Sequence, residues 1–211
     1  MAKHTIFWRP GTGSFAVEVL LEETGQPYER VLVTQRRRLD MPPQLLKLNP
    51  LGQVPVLVLP DGSAMTESAA MVIYLADLKP AAGLAPPAGD PARPHYLRWL
   101  LYGAVNVYQT FMHVYHAENF VADEAAHPGM IALARETLAR QWAQVEAALD
   151  PGPYLLGARP SAADLYLMMF PYWYEDKGAT LRGYPRLNRL CNALRERPAV
   201  QRVWAHHANH M

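Results

Sequence analysis

The chain changes character near residue 80, and that change limits the folds open to it. Before it, apolar alternation and helical spacing take turns; after it, nothing reads as a strand. His4 to Trp8 reads as a short strand, followed by the glycine-rich turn Arg9–Ser14 and a helix over Phe15 to Thr24. Glu18 and Glu22 are spaced to share that helix's solvent face. Gly25-Gln26-Pro27 stops the helix, and Tyr28 to Val33 alternates as a second strand. A short helical segment over Pro43 to Leu48 leads to two strands split by Pro60-Asp61-Gly62, a hairpin signal, and then a helix from about Glu67 to Asp77. The order βαβαββα makes a compact α/β unit over residues 1–80.

Residues 81–93 lie in a stretch from Lys79 to Pro94 that holds five prolines and two glycines, the composition of a linker. Over residues 94–211, Tyr96, Trp99, Gly103, Val107, Phe111 and Val114 recur at helical spacing. Ile131, Ala134, Leu138, Trp142, Val145 and Leu149 do the same on the next helix. Further helices are expected over Ala162 to Asp176, Pro185 to Arg195 and Pro198 to about His206. The fold class is therefore α/β followed by all-α.

Charge and cysteine content remove several functions. Twenty basic and nineteen acidic side chains leave a formal charge of +1, which offers no footprint for nucleic acid or an anionic membrane. Cys191 is alone, so the chain has no internal disulfide and no CxxC redox pair. The N-terminus carries no signal-peptide pattern and no apolar run reaches membrane-spanning length, so a cytoplasmic location is expected. His113 and His116 share a helical face and His206, His207 and His210 crowd the C-terminus, but no carboxylate or cysteine completes a ligand set, and no metal is expected.

Pro55 stands at the head of a strand, where its missing N–H would interrupt a ladder. A cis bond reconciles the two, because the chain then turns just before pairing begins. Such a turn leaves the Val54 N–H and C=O free to pair with an extended peptide ligand. Glu67 and Ser68 then fall at a helix N-terminus, which favours a carboxylate, while the Glu67 side chain suits an ammonium. These features describe a site for a small zwitterionic peptide.

The pattern Asn49-Pro50-x-Gly52-Gln53-Val54-Pro55, followed by Asp61-Gly62 and Glu67-Ser68, resembles the thioredoxin-like domain of the glutathione transferase superfamily. Ser161-Ala162-Ala163-Asp164 resembles that family's capping box, and Arg197-Pro198-Ala199-Val200 its near-terminal helix. The start, from Trp8 to Glu23, is most similar to the bacterial beta class. The resemblance implies an N-terminal thioredoxin-like domain and an all-helical second domain. It also implies glutathione as co-substrate, bound by Gln53, Val54, Pro55, Glu67 and Ser68, and conjugation of its thiolate to small apolar or aromatic electrophiles. A non-catalytic scaffold that binds a protein or sequesters a ligand is the alternative.

Thiolate stabilisation needs a donor near the sulfur, preferably at a helix N-terminus. Aligned on the beta class, the tyrosine position carries Trp8, the cysteine position Gly13, and the serine position keeps Ser14. Ser14 is thus expected as the donor, with Trp8 packed over the sulfur or adding an indole N–H. Tyr108, Gln109, Met112 and Trp173 match positions that face the family's electrophile pocket between the domains. Ser161 and Asp164 are expected to be structural, as an N-cap pair. The helix after Glu67 is apolar on more than one side, and a homodimer, the family's usual assembly, would cover it.

Overall fold

The computed structural model describes residues 3–173 and 181–207. Two compact units emerge, one of residues 1–90 with 193–211 and the other of residues 91–192. Residues 193–207, expected within the helical domain, group instead with the α/β unit.

In that first unit β1 (His4–Trp8) pairs in parallel with β2 (Tyr28–Leu32) and antiparallel with β3 (Val56–Val58), which pairs antiparallel with β4 (Ala64–Met65). The sheet order is β2-β1-β3-β4, as a β-α-β crossover followed by a hairpin requires. The hairpin is closed by Asp61, whose Oδ1 accepts from the Ser63 N–H at 2.9 Å, beside Gly62 at φ 86°. The strands' period of two divides the core. Phe7, Val33, Val54 and Val56 meet Met41 and Leu45 from the segment around α2 (Pro43–Leu48). Ile6 and Leu57, on the opposite pleat, are fully buried beside α1 (Ser14–Thr24) and α3 (Ser68–Leu78). Burial of such side chains contributes roughly 1.5–3 kcal/mol each.

The helix α1 departs from the amphipathic reading. Glu18 is fully buried and Glu22 half-buried, because α9 (Pro198–His207) packs along the face read as wet. The contact is polar as well as apolar. His207 Nε2 lies 3.1 Å from Glu18 Oε1, Arg202 Nε donates to Glu22 at 2.8 Å, and Arg197 forks onto Glu23 at 2.6 and 2.7 Å. Phe15 meets the Trp204 ring edge-on with centroids 5.8 Å apart. A left-handed Gly25 ends α1, and Gln26 N–H returns to Leu21 C=O at 2.9 Å.

In the helical unit, α4 (Arg93–Leu101), a run of π turns over Tyr102–Tyr108 and α5 (Gln109–Tyr115) follow one another without a break. The π turns interrupt the single regular helix expected there. Thr110 Oγ1 donates to the Asn106 C=O at 2.7 Å and so supplies a partner to one carbonyl of the π segment. Gly103 lets Tyr166 approach closely, since a Cβ there would stand 3.0 Å from Tyr166 Cδ1. The long α6 (His127–Ala148) packs on α5. The helix α7 (Ala162–Leu167) is shorter than expected: it ends before Pro171, a 3₁₀ turn covers Phe170–Trp173, and residues 174–176 lie outside the described residues. The Glu146 carboxylate accepts from the Arg186 and Leu187 N–H groups, at 2.9 Å each, at the start of α8 (Pro185–Arg195). Among the described residues no helix is long and apolar enough to cross a membrane.

Candidate active site

The segment joining α2 to β3 is built around one side chain. Asn49 is buried, its Nδ2 donates to the Gln53 C=O at 3.0 Å, and its Oδ1 accepts from the Leu51 N–H at 3.1 Å. This brace shapes the turn that presents Gln53 and Val54. The Val54–Pro55 peptide is cis, and β3 begins pairing at Val56. The Val54 N–H and C=O take no hydrogen bond among the described residues, so the backbone edge offers one donor and one acceptor to an extended ligand. Asn49 entered the sequence reading only as the first residue of the Asn49-Pro50-x-Gly52-Gln53-Val54-Pro55 pattern, with no role assigned to it.

Beyond the hairpin, Ser68 is the first residue of α3 and is buried, while Glu67 at its N-cap is exposed. Glu67 has φ 66°, a region in which a side chain costs of order 1–3 kcal/mol and which persists only where the surroundings impose it. Its side chain makes no capping hydrogen bond to the start of α3.

Ser14 lies at the mouth of α1, where the sequence places it. Gly13 is the N-cap and Ser14 the first helical residue. Ser14 is fully buried, and its Oγ accepts from the Arg9 N–H at 3.4 Å and lies 2.9 Å from Thr12 Oγ1. It is thus held within the turn rather than presented outward. Trp8 also turns inward. It is 9% exposed, with its ring 5.0 Å from that of His207 and the Arg30 guanidinium 5.5 Å from its ring centroid. The indole thus packs between His207 of α9 and Arg30 of β2. Thr12, half-buried on the same turn, was missed from sequence.

In the helical unit, Tyr108 and Trp173 meet with ring centroids 4.9 Å apart, and Phe111 and Phe170 join them, each within 6.0 Å of a neighbouring ring. Tyr108, Met112 and Trp173 are half-buried, whereas Gln109 is exposed at the start of α5. Ser161 and Asp164 form a capping box at α7. The Asp164 carboxylate accepts from the Ser161 N–H and Oγ at 2.7 Å each and from the Leu155 N–H at 2.8 Å. Burial pushes the Asp164 carboxyl above the usual range, against the pull of these bonds. Among the described residues no group of three or more His, Cys, Asp or Glu side chains could hold a metal ion. His113 packs edge-on to Phe120, His207 pairs with Glu18, and His210 lies outside the described residues.

Comparison with known proteins addresses both units. The family model described as glutathione S-transferase, N-terminal domain matches residues 14–78, and that described as glutathione S-transferase, C-terminal domain matches residues 110–206. Glutathione S-transferase GstA of Escherichia coli O157:H7 is 30% identical over 93% of this chain and 94% of its own length. A glutathione transferase homologue from Sulfitobacter, solved with bound glutathione, superposes with a TM-score of 0.88 at 30% identity over 100% of both chains. A beta-class glutathione S-transferase from Sphingomonas chungbukensis gives 0.82 at 26% identity over 96% of this chain and 98% of its own. With matches to both domains and near-complete coverage of its relatives, the chain belongs to the glutathione S-transferase family.

Proposed function

We propose that this protein binds glutathione along the Gln53–Val54 edge and transfers its thiolate to a small apolar or aromatic electrophile. The Val54 N–H and C=O, left outside the sheet beside Pro55, carry the reading. They match the N–H and C=O of a cysteinyl residue lying antiparallel to them. The γ-glutamyl carboxylate sits on the Ser68 end of α3, and its ammonium meets Glu67. The thiol then points to the start of α1, where the helix dipole and the Arg9–Ser14 turn favour its anion. The thiol proton leaves to water, the sulfur attacks an electrophilic carbon, and the leaving group departs with the bonding pair.

The electrophile is held by Tyr108, Met112 and Trp173, with Gln109 at the rim. An aromatic and methionine lining suits flat apolar molecules. Ile73 and Tyr74, half-buried on α3, remain for a second copy of the chain to cover, so the assembly is a homodimer.

Calorimetric titration with glutathione, followed by an assay with an aromatic halide, tests the function. Saturable binding with turnover is expected. Binding without turnover on any halide favours the non-catalytic scaffold, and no binding removes the transferase reading. Sedimentation at micromolar concentration tests the dimer, which a monomer would exclude.

A further inference from the structure

Gln141, buried on α6, meets the run of π turns at both of its ends. Tyr102, the first residue of the run, points its Oη to the Gln141 C=O at 3.3 Å. Thr110, just past its last residue, receives Gln141 Nε2 on Oγ1 at 3.0 Å. The direction of this second contact is fixed. The single Thr110 hydroxyl proton goes to the Asn106 C=O at 2.7 Å, so its oxygen can only accept from residue 141. The amide therefore heads a chain of donors that ends on a carbonyl inside the π segment, and each bond polarises the next. A π segment is rare and ordinarily a single turn, so one that spans Tyr102–Tyr108 has to be held against relaxation to the α register. Gln141 also carries a cost. Its Oε1 is buried and takes no hydrogen bond among the described residues, and a buried acceptor left unmade disfavours folding. A leucine of similar size would spare that cost, so stability alone does not account for an amide at this position.

We propose that Gln141 is a positioning residue for the electrophile: through Thr110 it holds the π register, and the register sets where Tyr108 stands against Trp173. The inference rests on the transferase reading above and deepens it, since it names what fixes the shape of the aromatic pocket. The π run ends on Tyr108, whose ring lies 4.9 Å from that of Trp173 and 5.7 Å from that of Phe170. Bonding from i to i+5 puts more residues in each turn than bonding from i to i+4. A return of residues 102–108 to the α register would therefore swing the Tyr108 ring about the helix axis relative to Trp173. The pocket would then present a different outline to a flat electrophile. Gln141 itself touches no substrate and moves no proton; it acts through the backbone that carries Tyr108.

The test compares wild type with Gln141→Leu, Thr110→Val, Thr110→Ser and the double variant that joins the first two. Glutathione affinity is read by calorimetry, kcat and KM with a single-ring and a fused two-ring aromatic halide, and stability by the urea midpoint. Gln141→Leu is expected to raise KM for at least one halide about tenfold and so change the ratio of kcat/KM between the two. Its glutathione affinity stays at the wild-type value, because the Val54 edge belongs to the other unit. Its urea midpoint does not fall, because the unpaired amide oxygen goes with the amide. Thr110→Val reproduces the change in selectivity and Thr110→Ser restores it. The double variant is no worse than either single one, since both break the same chain. Thr110→Val also carries the test if the leucine variant does not fold. The proposal fails if both variants keep wild-type KM values and selectivity, or if halide and glutathione binding weaken together. A wild type that binds glutathione but turns over neither halide overturns the transferase reading and this proposal with it, which separates the two failures.

Discussion

His207 and Glu18, at 3.1 Å from Nε2 to Oε1 and both fully buried, join the last described helical residue to the middle of α1 across 189 positions of sequence. Among the described residues the second Glu18 oxygen takes no hydrogen bond and faces the Arg30 guanidinium at 3.6 Å. A buried carboxylate with so few donors depends on each of them. His207→Ala is expected to destabilise by roughly 3–5 kcal/mol, because it leaves a carboxylate without its hydrogen bond. Replacing both partners, as in Glu18→Leu with His207→Phe, should recover most of that loss. Urea midpoints of the two single variants and the double variant give the coupling; a fully additive cycle would show that the pair contributes through packing alone.

Asp164 serves two segments at once. One oxygen takes the Leu155 N–H and the other takes two donors from Ser161. Asp164→Asn must turn an NH₂ toward one of those donor sets, leaving a buried N–H without an acceptor, at about 1–3 kcal/mol. Asp164→Ala loses the whole box and should cost at least as much. Chemical denaturation measures both. Glutathione affinity should be unchanged, because the residue acts on α7 and not on the ligand edge.

Much of the order of elements was legible because it is local. Alternation at His4–Trp8, helical spacing at Phe15–Thr24 and the turn at Pro60-Asp61-Gly62 each draw on neighbours in sequence, and the observed bounds fall close to them. The turn before β3 and the start of α3 were legible too, since a proline heading a strand and an acid-serine pair opening a helix are both local anomalies. What escaped is long-range. Glu18 reads as solvent-facing from any window around it, since only the return of α9 buries it. The positive φ of Glu67 runs against its own propensity and is imposed by its surroundings. That the turn folds the Ser14 hydroxyl inward is likewise something periodicity does not encode.

His4 links stability to pH. It is buried at the start of β1, and burial lowers its pKa from 6.5 against the smaller opposing pull of the Pro27 carbonyl. The unfolded chain therefore binds a proton more readily than the folded one as pH falls. The stability tied to this neutral ring is fully present above pH 6.5 and is lost as pH drops from there toward the folded value. His4→Phe removes the linkage. Over mildly acidic pH its urea midpoint should fall less steeply than that of wild type. Parallel curves would mean that His4 is not the group responsible.

Asn49 offers the sharpest separation of binding from chemistry. Its two hydrogen bonds, to the Gln53 C=O and from the Leu51 N–H, hold the turn that sets the direction of the Val54 backbone edge. Removing them with Asn49→Ala should loosen the Val54 edge, the proposed glutathione contact, without altering the turn at the start of α1. Each lost bond is worth about 0.5–1.5 kcal/mol, so the KM for glutathione should rise about tenfold while kcat at saturation stays near wild type. Asn49→Asp keeps the acceptor for Leu51 but turns the donor to Gln53 into a second acceptor, facing a carbonyl oxygen. It should therefore weaken binding at least as much as the alanine. A variant in which kcat falls and KM does not would place Asn49 in the chemical step instead.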